Sequence, residues 1–145
     1  MTKVVLSPQT LAERCAEVLM ARDQASRHLG MELVSVSPGK AEMKMLVKDY
    51  MVQGHGNCHG GYIFTLADTT FAFACNTYDA VSVAQGCNIE YVRPGKLDDT
   101  LTAKCAQLSR GKRTGVYDVT IENQDGELIA LMRGKSYQVG ASLLS

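Results

Sequence analysis

From Tyr62 to Thr77 the chain is apolar almost without interruption, with Asp68 as its one charged residue. A helix that is apolar nearly all round has no face to offer to water, so the rest of the chain must cover it. The second half supplies such a cover. Segments 81–92, 99–109, 113–123 and 127–139 read as strands, separated by Pro94-Gly95, Gly111 and Asp125-Gly126. Val83, Gln85, Cys87, Ile89 and Tyr91 alternate with more polar neighbours, as do Tyr117, Val119 and Ile121, so one face of a sheet is apolar. Four strands in succession predict an antiparallel meander. Upstream, Ser7-Pro8 is a helix start, and Leu11, Cys15, Val18 and Leu19 recur at helical spacing, predicting one helix over 8–28. Segments 31–37 and 41–47 flank Pro38-Gly39 as a hairpin, and 48–61 is a loop rich in Gly and His. The expected architecture is α+β: an antiparallel sheet of five or six strands wrapped around a long buried central helix.

At 145 residues the chain is long enough to bury a sizeable core, and 1–145 is expected to form one domain. Fifteen basic and fifteen acidic residues cancel, which argues against a nucleic-acid backbone or an anionic membrane as partner. No apolar run approaches the roughly 20 residues that span a bilayer, and the N-terminus lacks the pattern of a signal peptide. A cytoplasmic location is therefore expected. The five cysteines, Cys15, Cys58, Cys75, Cys87 and Cys105, are scattered and odd in number, which suits reduced thiols.

An ionised carboxylate inside an apolar helix is costly unless it is hydrogen-bonded, shifted in pKa or retained for chemistry, and this makes Asp68 the first candidate residue. A structural reading gives it a bond to Thr65, Thr69 or a neighbouring strand. Gly60 and Gly61 stand where the loop becomes the buried helix, so their N–H groups belong to the unpartnered first turn. Such donors, aided by the helix dipole, suit an oxyanion; they also simply start helices. Asp68 lies eight residues beyond Gly60, roughly 12 Å along a helix axis, so one chain cannot close both on a single carbonyl. If both act on one ester or thioester, the site forms between two copies of the chain. His55, Cys58 and His59 invite a metal or an activated thiol, but a fourth ligand is missing and adjacent residues rarely face each other; no metal or other cofactor is expected. Arg110-Gly111-Lys112-Arg113-Thr114 is a basic hairpin loop, either solvated or suited to phosphate oxygens. Tyr62, Phe64, Phe71 and Phe73 either line an aromatic pocket or are plain core.

The run Gly54-His55-Gly56-Asn57-Cys58-His59-Gly60-Gly61, then Leu66-Ala67-Asp68-Thr69, Tyr91-Val92-Arg93-Pro94-Gly95, Gly115-Val116-Tyr117-Asp118 and Arg133-Gly134-Lys135-Ser136, resembles the hotdog-fold thioesterases of phenylacetate degradation. The resemblance spans nearly the whole chain, with its motifs in order. It implies a hotdog fold and hydrolysis of aryl-acyl-CoA, such as hydroxyphenylacetyl-CoA, by a homotetramer built from catalytic dimers. By position it implies Asp68 as the helix carboxylate, Gly60 as the oxyanion N–H and His59 as the loop histidine beside it. Gln53 stands where such enzymes commonly have Asn. Some of them also carry a Ser near the strand position held here by Ala84 or Gln85. The loop Arg110, Gly111, Lys112, Arg113 and Thr114 matches a region touching the CoA nucleotide; Gly61, Tyr91 and Arg93 complete the expected substrate-binding set. Two other readings remain for the sequence: an acyl-thioester hydratase or dehydratase working through His59 and an acid, and a non-catalytic acyl-CoA binding protein.

Overall fold

The computed structural model describes residues 4–145. Helix α1 spans Pro8–Arg22, with Ser7 accepting from the Thr10 N–H at 3.1 Å as its N-cap. The helix predicted over 8–28 is broken at Asp23, which adopts an extended backbone and caps a separate short helix, α2 (Gln24–His28), by accepting from Ser26 N–H. Aspartate competes for backbone donors through its short side chain, and apolar spacing is blind to that competition. Strands β1 (Glu32–Ser37) and β2 (Lys40–Leu46) form the expected hairpin over Gly39, whose φ of +72° is the left-handed turn geometry glycine adopts freely.

Helix α3 is Gly60–Cys75, two residues earlier at each end than the predicted 62–77. The start moves because His59 acts as N-cap, which draws Gly60 and Gly61 into the first turn; Asn76 closes the other end. Strands β3 (Ser82–Tyr91), β4 (Thr100–Arg110), β5 (Thr114–Glu122) and β6 (Leu128–Gln138) follow. All six strands are antiparallel, in the order β1-β2-β4-β5-β6-β3. The four-strand meander is thus corrected: β4, β5 and β6 form one, but β3 pairs with β6 and lies at the sheet edge. Pro94-Gly95 does not turn β3 back onto β4. The Gly95 carbonyl accepts from the Cys58 N–H and Arg93 N–H bonds Ile129, so this segment is tied under the 48–59 loop and carries the chain across to β4.

The sheet curls around α3. Met43 and Met45 of β2, Leu101 and Ala103 of β4, Tyr117, Val119 and Ile121 of β5 and Met132 of β6 present the buried face, and Ile63, Leu66, Phe71 and Phe73 of α3 fill it. Phe71 and Tyr117 meet edge to face at 5.5 Å between ring centres. Gly134 of β6 makes room for that pair, because a Cβ there would lie 2.9 Å from the Phe71 ring. Phe71 and Phe73 are therefore core, while Tyr62 and Phe64 are only half-buried. Among the described residues no helix is long and apolar enough to cross a membrane.

Candidate active site

The 48–59 loop is pinned before it delivers the helix. Val52 bridges Cys58, the His59 N–H bonds the Met51 carbonyl at 2.7 Å, and the Gln53 N–H bonds Asn57. His59 then spends its Nδ1 as acceptor for the Gly61 N–H at 2.9 Å. That bond fixes the neutral tautomer with the proton on Nε2, which leaves Nε2–H as an outward donor on an exposed ring. The Tyr62 and Ile63 N–H groups both reach the His59 carbonyl. Of the four first-turn donors, only the Gly60 N–H has no partner among the described residues. A free N–H at the positive end of a sixteen-residue helix is suited to a developing oxyanion.

This donor opens into a cleft of about 350 Å³ that Gln53, Asn57, Ile63, Tyr91 and Arg93 help to line. Tyr91 packs on Gly60 and donates its hydroxyl to the Gly60 carbonyl at 3.0 Å. A Cβ on Gly60 would fall 3.0 Å from the Tyr91 ring, tighter than side chains usually pack, so glycine suits this close approach. Gln53 gives its Oε1 to the His55 N–H, and Arg93 turns toward β6, donating to the Leu128 carbonyl at 3.3 Å. One cleft thus gathers Gln53, Gly60, Tyr91 and Arg93. Gly61 sits beside them, but its N–H is consumed by His59.

Asp68 is elsewhere. It follows Gly60 by eight residues of continuous α3, roughly 12 Å of rise, and it faces β3. Thr65 does not hold it, since that hydroxyl donates to the Gly61 carbonyl. Its only side-chain hydrogen bond among the described residues comes from the Cys87 thiol, at 4.0 Å from Oδ1. Burial without a cationic partner pushes the Asp68 carboxyl above its ordinary range. The Cys87 contact carried no signal in the sequence, because it depends on β3 lying at the edge beside α3.

The basic loop lies at the far end of the helix. Arg110 stacks with its guanidinium 3.7 Å from the centre of the Tyr78 ring, just past the end of α3, so roughly 24 Å of helix separates it from Gly60. Arg110, Lys112, Arg113 and Thr114 are exposed, and no carboxylate pairs with the three cations among the described residues. The activated-thiol reading of Cys58 fails: burial pushes that thiol up to about 11, and it donates to the His59 carbonyl. No cluster of three or more metal-ligating side chains occurs among the described residues.

Residues 55–130 match the family model described as the thioesterase superfamily. The chain is 43% identical over 128 residues to acyl-coenzyme A thioesterase PaaI of Escherichia coli K12, covering 88% of this chain and 91% of that one. It superposes on the structure of the E. coli PaaI protein from the phenylacetic acid degradation operon with a TM-score of 0.92 at 42% identity, over 94% of this chain and 99% of that one. A Streptococcus mutans protein solved with acetyl-CoA bound matches with a TM-score of 0.75 at 30% identity, over 78% and 91% of the two chains.

Proposed function

Because the chain belongs to the thioesterase superfamily, with the hotdog fold and the activity of an acyl-CoA thioesterase, we propose that it hydrolyses aryl-acyl-CoA thioesters of the hydroxyphenylacetyl type, in phenylacetate degradation. The observation that carries the mechanism is the unpartnered Gly60 N–H at the head of α3. The thioester carbonyl lies against it in the cleft, and the negative charge that develops on its oxygen is met by that N–H and the helix dipole. His59 Nε2–H and the Gln53 amide orient the acyl end. The edges of Tyr62 and Tyr50, whose rings stand 6.1 Å apart beside His59, receive an aryl group.

The attacking side comes from a second subunit. Strand β3 has ten residues and no neighbour beyond it among the described residues, an open edge that suits pairing with another copy. Two-fold antiparallel pairing along β3 sets the Tyr91 end of one strand beside the Ser82 end of the other. The Gly60 cleft then faces the middle of the partner's α3, with Asp68, and beyond it the partner's basic loop, which takes the CoA phosphates. The partner's Asp68, made more basic by burial, accepts a proton from water as the water oxygen bonds the carbonyl carbon. Collapse of the tetrahedral adduct breaks the C–S bond and releases CoA thiolate, which takes up a proton, and the free acid. No metal or cofactor enters this scheme. The dimer is the catalytic unit, and two dimers form a tetramer in the cytoplasm.

Thiol release from short, long-chain and hydroxyphenylacetyl-CoA tests the substrate, with preference for the aryl thioester expected; no such preference refutes it. Turnover in oxygen-18 water leaves Asp68 unlabelled if it is a base and labels it if it is a nucleophile. Mixing inactive Gly60→Val with inactive Asp68→Asn tests the shared site. Hybrid dimers then hold one intact site each, so activity returns after subunit exchange; a mixture that stays inactive although hybrids form sinks the two-chain arrangement.

A further inference from the structure

We propose that Cys87 is a positioning residue for Asp68, its thiol donating to Oδ1 and holding the carboxylate in the orientation that receives the proton of the attacking water. This deepens the hydrolytic reading above and rests on it. Sγ lies 4.0 Å from Oδ1, at the outer limit of a sulfur hydrogen bond, and it is the only side-chain bond Asp68 makes among the described residues. Cys87 follows a register shift between Ala84 and Gly86, where Gln85 is left without a counterpart on β6. Such a bulge bends the strand and re-aims the side chains beside it. Cys87 is also the exception among five cysteines: Cys15, Cys58, Cys75 and Cys105 are buried, whereas Cys87 is half-exposed at the Asp68 face.

The groups that surround the carboxylate are few. Cys87 meets it from β3, and Cys75 approaches along α3 with Cys105 of β4 behind it. No Lys, Arg or His bonds it among the described residues. Burial and the Asp68 charge both raise the Cys87 thiol, so the proton stays on sulfur at neutral pH and remains available to donate. A donor on the ionised carboxylate favours the charged form and opposes the effect of burial.

Two readouts test the assignment. In hydroxyphenylacetyl-CoA hydrolysis, Cys87→Ala is expected to lower kcat about tenfold with KM unchanged and to move the acid limb of kcat/KM to higher pH, while Cys87→Ser keeps the limb in place. An unmoved limb in Cys87→Ala, or the same displacement in both variants, overturns the proposal, since a packing role would not distinguish them. The second readout needs no turnover. The infrared S–H stretching band lost in Cys87→Ala is expected to shift to higher frequency in Asp68→Ala, where the acceptor is gone. A band that stays in place shows that the thiol does not donate to Asp68. If the wild-type protein released no thiol, the hydrolytic reading would fall, and this band would still decide whether the bond exists.

Discussion

Replacing Asp68 by Asn should make the protein more stable and nearly inactive. The side chain is the only charge on α3, half-buried and met by a thiol rather than a cation. Burial raises its folded pKa above the unfolded value, so the proton is held more tightly in the folded chain. The stabilisation from that proton is complete below the unfolded value and is lost as pH rises through the folded one. Wild type therefore bears the full cost of an ionised Asp68 only above the raised value, whereas Asn is neutral throughout. Water reaches part of the side chain and screens the cost, which sets the gain at about 0.5–1 kcal/mol. For 145 residues the unfolding entropy is about 0.3 kcal/mol/K, so Tm should rise by about 2–3 °C. The gain should shrink as pH falls into the ordinary carboxylate range. Scanning calorimetry of both proteins across this range measures it, and thiol release from the same samples should fall by about 10²–10⁴. A variant that melts below wild type at about pH 8 would refute the reasoning, because Asp68 would then be a structural acid whose bonds stabilise the fold.

Gly60→Val should drive a branched side chain into Tyr91 and close the approach to the free N–H, lowering kcat by about 10²–10³; normal turnover by a folded variant would remove the oxyanion role. His59→Ala should lose the cap on the Gly61 N–H at a cost of about 1 kcal/mol in denaturant melts, whereas His59→Asn should keep stability while losing the Nε2 donor and its share of activity. Gly134→Ala should cost about 1–3 kcal/mol with kcat unchanged in the folded fraction, because the new methyl meets a Phe71 ring locked in the core; an unchanged urea midpoint would contradict that packing.

Legibility in the sequence followed the range of the interactions. α3 announces itself because sixteen residues with one charge cannot lie on a surface, and β2, β4, β5 and β6 show their period of two because one face of each is buried. β3 alternates in the sequence, but the register shift between Ala84 and Gly86 breaks that alternation and leaves Val83 and Tyr91 exposed, so only Cys87 and Ile89 of the expected set are partly covered; nor does alternation report which strand is the neighbour. Pro94-Gly95 looked like a hairpin turn and serves as a crossing, since its backbone groups bond the 48–59 loop and β6. The site divides in the same way. Gly60 and Asp68 stood out from local chemistry, whereas three details required tertiary geometry. These are the capping of Gly61 by His59, the seating of Tyr91 on Gly60 and the Cys87 thiol on Asp68. The first two leave the Gly60 N–H free and favour glycine at that position; the third sits on the edge strand, where a second chain can join the sheet. A rigid helix holds Gly60 and Asp68 apart within one subunit, so in the proposed dimer the pairing of β3 that extends the sheet also brings one chain's Gly60 to the other's Asp68. Acyl-CoA hydrolysis should accordingly be lost whenever that edge is blocked, even with every residue of the cleft intact.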